Sequence, residues 1–195
     1  MQTIAITGGV GSGKSHVVNL LKQSKTLAGA VYVNVDHLVH DLYKEPTFQA
    51  QLVQLIGSID RKEIANIVFN DPWRRKMLEF ISGAMILDRL RSLREDAIDA
   101  EVKYFIIEVP LLFELGLQVL FNKTICVTAY DGIRINRIVA RDHRSEEQAM
   151  AIIASQLPQR TKAELADRVI SNNLTNDVFL ASEVDKTADW IVSLK

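Results

Sequence analysis

The sequence has little cysteine, proline or glycine and no excess of either charge: one Cys, four Pro, nine Gly and a formal net charge of −1 in 195 residues. A single cysteine excludes an internal disulfide framework and fits a reducing compartment. Cys126, in the apolar run 124–128, is predicted to be a buried strand thiol.

A net charge near zero excludes a global field that would attract nucleic acid or an acidic membrane. No apolar run approaches the ~18 residues of a membrane span, and the first residues read as a strand rather than a signal peptide. We therefore expect a soluble cytoplasmic protein with no nucleic-acid or membrane partner.

What the chain does have is enough apolar sequence for one well-packed domain, since 48% of its residues are hydrophobic. Short apolar runs alternate with longer amphipathic segments, which is typical of a parallel α/β sheet covered by helices on both faces. Strands are predicted at 3–7, 30–33, 104–109, 123–127 and 168–170. Helices are predicted at 14–25, 37–43, 47–56, 61–69, 72–100, 132–141, 145–157 and 177–194.

Start signals precede several of these helices. Asp71 comes directly before a proline at the first helical position. Ser145 is followed three residues later by Gln148, the spacing of a capping box. Asp131 and Asn176 are similar candidates for N-caps.

Residues 8–15, Gly-Gly-Val-Gly-Ser-Gly-Lys-Ser, fit the phosphate-loop pattern G-x-x-x-x-G-K-[ST]. They follow the first predicted strand and open the first predicted helix, which is the context that this pattern requires. Glycines let the loop turn tightly and point several backbone N–H groups at one anion, and the helix N-terminus adds partial positive charge. Lys14 can then reach the β- and γ-phosphates, and the Ser15 hydroxyl can ligate Mg²⁺. The sequence therefore predicts a protein that binds a nucleoside triphosphate.

The remaining motifs favour a small-molecule kinase over the other phosphate-loop classes. A GTPase would show D-x-x-G and N-K-x-D, but no aspartate is followed three positions later by glycine, and Asn122-Lys123 continues with Thr124-Ile125. The L-S-G-G-Q run of a transporter ATPase is missing as well. Acidic residues after the second and third predicted strands, with an arginine pair on a late helix, form the set expected of a kinase.

Two acidic residues follow or end predicted strands, at the sheet edge where a kinase would bind its substrates. Asp36 follows the second strand, at the sheet edge where open α/β folds bind ligands, and there a carboxylate would accept or orient the proton of an attacking hydroxyl. The alternative is an N-cap for the helix at 37–43, and one residue can do both. Glu108 ends the third strand, where an acid would hold Mg²⁺ or its water shell. A helix cap or a polar contact with the loop is the alternative for Glu108.

Arg137 and Arg141 are four residues apart and share one face of the helix predicted at 132–141. Guanidinium groups suit the charge that spreads over a transferring phosphoryl group, so the pair is predicted to bind phosphate. Arg134 and Arg144 flank the pair. Arg134 is predicted to lie on a solvated helix face.

The chain is expected to form one domain, with a core made of residues 1–36, 101–142 and 163–195. Residues 37–100 read as helices without a strand, and in a phosphate-loop fold such an insertion covers the acceptor substrate. Residues 142–162, rich in charge, are predicted to form a hairpin lid over the nucleotide. Plain scaffold is the alternative for the long helices.

Together these motifs resemble the dephospho-coenzyme A kinase family over nearly the whole chain. Residues 6–15, ITGGVGSGKS, are similar to the family's opening T-G-G-I-x-S-G-K-S. Residues 60–69, DRKEIANIVF, resemble its D-R-x-x-L-x-x-x-x-F segment. Residues 108–114, EVPLLFE, resemble its very specific (D/E)-x-P-L-L-(F/V)-E run. The order of its R-x-x-x-R…Q…A-D-x-x-I-x-N tail is matched by Arg137, Arg141, Gln156 and residues 166–172.

The resemblance implies a phosphate-loop kinase fold: a central parallel sheet of about five strands flanked by helices, with helical acceptor-binding and lid regions. It implies that the protein uses ATP and Mg²⁺ to phosphorylate the ribose 3′-hydroxyl of dephospho-coenzyme A, the last step of coenzyme A biosynthesis. The residues implied to bind ATP are Gly9, Gly11, Ser12, Gly13, Lys14, Ser15, His16 and, near the adenine, Asn172. Those implied to act in catalysis are Lys14, Asp36 as the base, and Arg137 and Arg141 from the lid. Acceptor contacts are implied for Asp36, Arg61, Pro110, Leu111 and Leu112, and metal ligands for Ser15 and Glu108.

Several positions depart from the family pattern, mostly on the acceptor side. Where the family has the first aspartate and the arginine of D-A-D-x-x-x-R, this chain has Asn34 and His40. Where the family has His-Pro, this chain has Gly83-Ala84. The threonine that follows the loop serine in the family is His16. Two other functions therefore stay open: another small-molecule kinase, such as a nucleoside monophosphate kinase, and an ATP-binding phosphate-loop protein that has lost catalysis. We expect a monomer or a weak homo-oligomer.

Overall fold

The computed structural model describes residues 1–173 and 177–194 and divides into two compact units. The first comprises Met1–Val33 and Ala100–Lys195, and the second comprises Asn34–Asp99. Each has its own cluster of buried apolar side chains. The lid and acceptor roles predicted for residues 142–162 and 37–100 stay predictions. In the described part of the chain, every helix is too short or too polar to cross a membrane.

The described residues form a five-stranded sheet. Its strands are β1 (Gln2–Thr7), β2 (Val31–Asn34), β3 (Tyr104–Glu108), β4 (Lys123–Thr128) and β5 (Arg168–Ser171). Their spatial order is β2-β3-β1-β4-β5, and β1, at the centre, pairs in parallel with both β3 and β4. The predicted fold class, a parallel sheet flanked by helices, is confirmed. Each predicted strand lies within about one residue of the observed bounds, because apolar runs without alternation are typical of strands buried on both faces.

The helices are α1 (Lys14–Gln23), α2 (Val35–Leu42), α3 (Pro46–Ile56), α4 (Arg61–Asn70), α5 (Pro72–Asp99), α6 (Asp131–Asp142), α7 (Glu146–Ala154), α8 (Gln159–Leu165) and α9 (Asp177–Ser193). Short 3₁₀ helices lie at Lys25–Leu27 and Leu117–Leu120. Helix α8 is not among the predicted helices. Pro158 stands directly before it as the N-cap, and the fixed φ of proline suits the start of a helix.

The core of the first unit is built around β1. It contains side chains from β1, α1, β4 and α9, including Ile4, Ile6, Val17, Leu21, Ile125, Val127 and Ile191. Burial of each such side chain stabilises the fold by about 1.5–3 kcal/mol. Because β1 and α1 are both anchored in this core, the short loop between them is held at both ends.

The second unit is a cluster of four helices, α2 to α5, around buried apolar residues. These include Leu42, Phe48, Leu52, Ile56, Ile64 and Ile86. The first helix of the unit begins at Val35, two residues earlier than predicted. Asn34 is therefore its N-cap, and its side-chain oxygen accepts a hydrogen bond from the N–H of His37 at 3.1 Å. Asp36 lies in the first helical turn, so its interpretation as the cap is wrong.

Two of the other predicted caps are confirmed: Asp71 at the start of α5, and Ser145, whose capping box with Gln148 opens α7. Asp131 is the first residue of α6 rather than its N-cap, so that prediction is wrong. Asn176 lies outside the described residues.

Candidate active site

The loop between β1 and α1 has the geometry of an anion-binding turn. Gly11 and Gly13 have φ angles of 75° and 84°, in the left-handed region that glycine adopts without steric cost. The N–H of Ser12 donates to the carbonyl oxygen of Gly9 at 3.1 Å, which closes a tight turn inside the loop. Helix α1 begins directly after Gly13, so the positive end of its dipole lies at the loop. A phosphate group fits this arrangement.

Lys14, the first residue of α1, folds back over the loop. Its Nζ donates to the carbonyl oxygen of Gly8 at 3.0 Å. The ammonium group therefore stands beside the converging backbone of the loop, where a triphosphate would need a cation. His16, two residues further along α1, has an exposed side chain. Contacts of both residues with ATP stay predictions.

Ser15 and Glu108, the predicted metal ligands, are hydrogen-bonded to each other. Ser15 Oγ donates to Glu108 Oε1 at 2.9 Å. The sheet explains this contact, because β1 and β3 are parallel neighbours with Ile6 in register with Glu108, and parallel strands end at the same edge. Of the alternatives for Glu108, the structure shows the polar contact with the loop, and a turn rather than a helix follows the residue. A hydroxyl and a carboxylate are oxygen donors of the kind that Mg²⁺ prefers, so the pair fits this ion.

The prediction that Arg134 lies on a solvated helix face is wrong, since the residue is 3% exposed. Its Nε donates to the carbonyl oxygen of Val10, in the phosphate loop, at 2.9 Å. Its Nη1 donates to Asp131 Oδ1 at 2.8 Å. The available sequence signal is its spacing from Ile138, four residues later and fully buried, which places both residues on the inner face of α6.

Arg137 and Asn172 hold another part of the same loop. Arg137 Nη1 donates to the carbonyl oxygens of Gly11 and Ser12 at 3.2 and 3.1 Å. Asn172, which is almost completely buried, donates through Nδ2 to the Ser12 carbonyl at 2.8 Å. The Ser12 hydroxyl is buried and has no hydrogen-bond partner among the described residues. The structure thus brings both residues to the loop through its carbonyl groups, and their contacts with ATP stay predictions.

Arg141 lies at the exposed end of α6, one turn after Arg137. Its Nε and Nη2 donate to the two carboxylate oxygens of Asp142 at 2.7 and 2.8 Å. This hydrogen bond from Arg141 lowers the pKa of Asp142 below its usual value. The role of Arg141 at the transferring phosphoryl group stays a prediction.

The turn that follows Glu108 carries the apolar residues predicted to contact the acceptor. The carbonyl oxygen of Pro110 accepts hydrogen bonds from Thr7 Oγ1 at 3.2 Å and from Lys162 Nζ at 3.4 Å, which fix the turn against the end of β1. Leu111 is 39% exposed, whereas Leu112 has no exposed surface. Of these two leucines, Leu111 is therefore the one that presents apolar surface at this turn.

Lys162, which also contacts this turn, is not among the residues predicted from the sequence to belong to the site. Although it is a lysine on α8, its side chain is fully buried, and its Nζ lies 2.5 Å from Glu114 Oε1. The same carboxylate oxygen accepts the N–H of Leu157 at 3.1 Å. This ion pair ties the turn after β3 to the segment between α7 and α8. No local sequence pattern predicts it, because the partner comes from a distant part of the chain.

Asp36 and Arg61, both predicted to bind the acceptor, line one cavity of about 480 Å³ in the second unit. His40 and Tyr43 of α2 line the same cavity, and the rest of its wall is mostly apolar, formed by Val39, Ile64, Ala65, Val68 and Leu78. The guanidinium carbon of Arg61 lies 4.3 Å from the centre of the Tyr43 ring, a cation–π contact. The cavity therefore combines a carboxylate, a fixed guanidinium group and apolar surface.

The remaining departures from the family pattern occupy ordinary structural positions. Asn34 caps α2, and His40 belongs to the cavity that contains Arg61. Gly83 and Ala84 are exposed on α5, with Ala84 at the edge of a separate cavity of about 550 Å³. Each substitution is accommodated without breaking a helix.

Cys126 is confirmed as a buried strand thiol. It lies within β4 with no exposed surface, and burial raises its pKa to about 11. A buried, protonated thiol is a poor nucleophile, so this environment suits a packing role.

Comparisons with known proteins show which family and which fold this chain resembles. The family model described as dephospho-CoA kinase matches residues 2–177. The dephospho-CoA kinase of Oceanobacillus iheyensis is 34% identical over 176 residues, which cover 87% of this chain and 88% of that protein. A crystal structure of a Thermus thermophilus protein has a TM-score of 0.82 at 29% identity, covering 100% of this chain and 98% of that one. A dephospho-CoA kinase from Campylobacter jejuni shares the fold, with a TM-score of 0.64 at 24% identity over 97% of both chains.

Proposed function

The chain belongs to the dephospho-CoA kinase family, and from that premise we propose that it transfers the γ-phosphate of ATP to the ribose 3′-hydroxyl of dephospho-CoA, the last step of CoA synthesis. The observation that carries the proposal is the phosphate loop, with Lys14 folded over it and the Ser15–Glu108 contact beside it. Phosphoryl transfer depends on positioning and on stabilising charge, and these groups supply both for the donor nucleotide.

The phosphate loop and Lys14 bind the β- and γ-phosphates in this proposal. Arg137 and Asn172 occupy the carbonyl groups of Gly11 and Ser12, which holds the loop in one conformation before the nucleotide arrives. Because the N–H donors of the loop are already in position, no free energy is spent on reorganising them when charge develops on the transferring phosphoryl group.

Mg²⁺ would be held by Ser15 and Glu108, and when bound it would neutralise charge on the β- and γ-phosphates. The Ser15 hydroxyl and the Glu108 carboxylate already lie 2.9 Å apart. Glu108 is 4% exposed and therefore has a fixed environment. Their hydrogen bond brings two oxygen donors side by side, which supports a shared ligand in this proposal.

Asp36 accepts or orients the proton of the 3′-hydroxyl in this proposal. Support comes from its place in a cavity with Arg61, whose guanidinium suits a phosphate or diphosphate group of the acceptor. The apolar wall of the same cavity, which includes Ile64 and Val68, suits a ring or an alkyl chain. A cavity with this mixture fits a nucleotide-like acceptor better than a small polar one.

The test is the release of ADP from ATP and Mg²⁺, measured with and without dephospho-CoA. We expect release to depend on the acceptor. Lys14→Ala should lower kcat/KM by about 10²–10³, the usual cost of removing one donor that stabilises transition-state charge. Lys25→Ala, at an exposed lysine just beyond α1, is the matched control and should leave the rate unchanged. The proposal is contradicted if ADP is released at the same rate without dephospho-CoA. It is also contradicted if Lys14→Ala keeps the wild-type kcat/KM.

A further inference from the structure

Val10, at the tip of the phosphate loop, is held by two side chains that the loop motif does not contain. Its carbonyl oxygen accepts a hydrogen bond from Arg134 Nε at 2.9 Å. Its N–H donates to Gln156 Oε1, also at 2.9 Å. Arg134 belongs to α6, and Gln156 lies between α7 and α8. Both backbone polar groups of this variable position of the motif are therefore fixed from outside the loop.

Arg134 is built into this position. It is 3% exposed, and its Nη1 is anchored by Asp131 at 2.8 Å. A Cβ atom on Gly9 would come within 2.9 Å of the Arg134 guanidinium carbon, and one on Gly11 would come within 2.7 Å of the Arg134 carbonyl oxygen. The glycines of the loop thus leave room for this arginine as well as for a phosphate.

We propose that Arg134 is a positioning residue for ATP, which acts by holding the Val10 carbonyl of the phosphate loop. When the N–H groups of a loop converge on an anion, its carbonyl groups point outward and need donors there. Arg134 supplies the donor for Val10, as Arg137 does for Gly11 and Ser12. A charged donor makes a stronger hydrogen bond than a neutral one, and this donor is itself almost completely buried.

This inference deepens the proposed function, because it rests on the same nucleotide site. The competing explanation is that Arg134 only packs α6 against the sheet. A packing role changes the stability of the protein, whereas a positioning role changes its affinity for ATP. The two explanations therefore differ in what they predict for nucleotide binding.

The experiment compares two substitutions in the full chain. Arg134→Met keeps an unbranched apolar side chain but removes the guanidinium donor, and Arg134→Lys keeps a charged donor. The dissociation constant of ATP is measured by calorimetry, with KM for ATP and for dephospho-CoA alongside. Arg134→Met should weaken ATP binding by about tenfold or more, and Arg134→Lys should recover most of that loss. KM for dephospho-CoA should not change in either variant.

The matched control is Arg160→Met. Arg160 has a side chain that is 88% exposed and is paired with Glu164 four residues later, so its loss should leave ATP affinity unchanged. If Arg134→Met lowers the thermal unfolding midpoint but binds ATP as the wild type does, Arg134 only packs α6 and the proposal is overturned. It is also overturned if Arg134→Lys binds ATP no better than Arg134→Met.

If Arg134→Met does not fold, Arg134→Gln, which keeps an N–H donor, is compared with Arg134→Lys. Because a charged donor makes a stronger hydrogen bond than a neutral one, Arg134→Gln should bind ATP at least about threefold more weakly than Arg134→Lys, and a smaller difference overturns the proposal. ATP binding is measured without the acceptor. A chain that binds ATP but does not phosphorylate dephospho-CoA would therefore refute the proposed function and leave this inference standing.

Discussion

Replacing Glu114 by glutamine is expected to destabilise the first unit more than replacing its partner Lys162 by methionine. The Lys162 side chain is fully buried, whereas that of Glu114 is 19% exposed. Glu114→Gln leaves the ammonium group charged inside the protein without its counter-charge, and breaking a buried pair in this way costs roughly 3–5 kcal/mol. Lys162→Met removes the buried charge altogether. The Glu114 carboxylate that remains reaches solvent and still accepts the N–H of Leu157, so the cost is smaller.

The assay is urea and thermal unfolding of the wild type, both single variants and the double variant. A loss of about 3 kcal/mol is a large part of the 5–15 kcal/mol that stabilises a typical domain. For a chain of this length it should lower the unfolding midpoint by roughly 6–12 °C. Glu114→Gln/Lys162→Met should cost less than the sum of the two single changes, because the residues act as a pair. A cost below about 1 kcal/mol for Glu114→Gln, as for an exposed ion pair, would refute the reasoning.

Two further predictions concern the chemistry. Asp36→Asn should lower kcat by about a hundredfold or more while sparing ATP affinity, because it removes a proton acceptor and no phosphate contact. Steady-state kinetics check this against Asp41→Asn, an exposed carboxylate on the same helix paired with Lys44, and an unchanged kcat would exclude Asp36 as the base. Glu108→Gln should raise the Mg²⁺ concentration that gives half-maximal rate by about tenfold, because one charged oxygen ligand is lost. A Mg²⁺ titration that matches the wild type would remove Glu108 from the metal site.

The sheet and the phosphate loop could be predicted from the sequence because their signals are local. Unalternated apolar runs mark strands that helices cover on both faces, and the loop motif carries its own strand and helix on either side. Glu108 could be placed as well, since it ends a strand next to β1 and parallel strands end together. Local patterns therefore identify the edge of the sheet where the site lies.

The exact start of a helix, and which of its side chains are buried, could not be predicted from these local patterns. The predicted start of α2 is residue 37, but the helix begins at Val35, and this shift of two residues moves the cap from Asp36 to Asn34. Asparagine and aspartate are similar N-caps, so composition does not choose between them. Spacing alone also places Arg134 and Arg141 near Arg137 without saying that Arg134 is buried and Arg141 exposed. Tertiary packing decides that difference.

Buried charge is the other feature that the sequence does not reveal. Lys162 lies in a stretch that reads as a solvated, charged lid, and lysine is seldom buried without a partner. Glu114 supplies that partner from the turn after β3, and only the folded chain brings the two together. For the same reason the sequence does not assign a partner to Gln156, which binds the phosphate loop through Val10.

The most direct test of the central claim is the identity of the product formed from ATP and dephospho-CoA. We predict a molecule heavier than the acceptor by one phosphoryl group, formed together with one equivalent of ADP, from which a 3′-nucleotidase regenerates dephospho-CoA. A phosphoryl group at another position, or ATP binding with no acceptor-dependent product, would contradict the account.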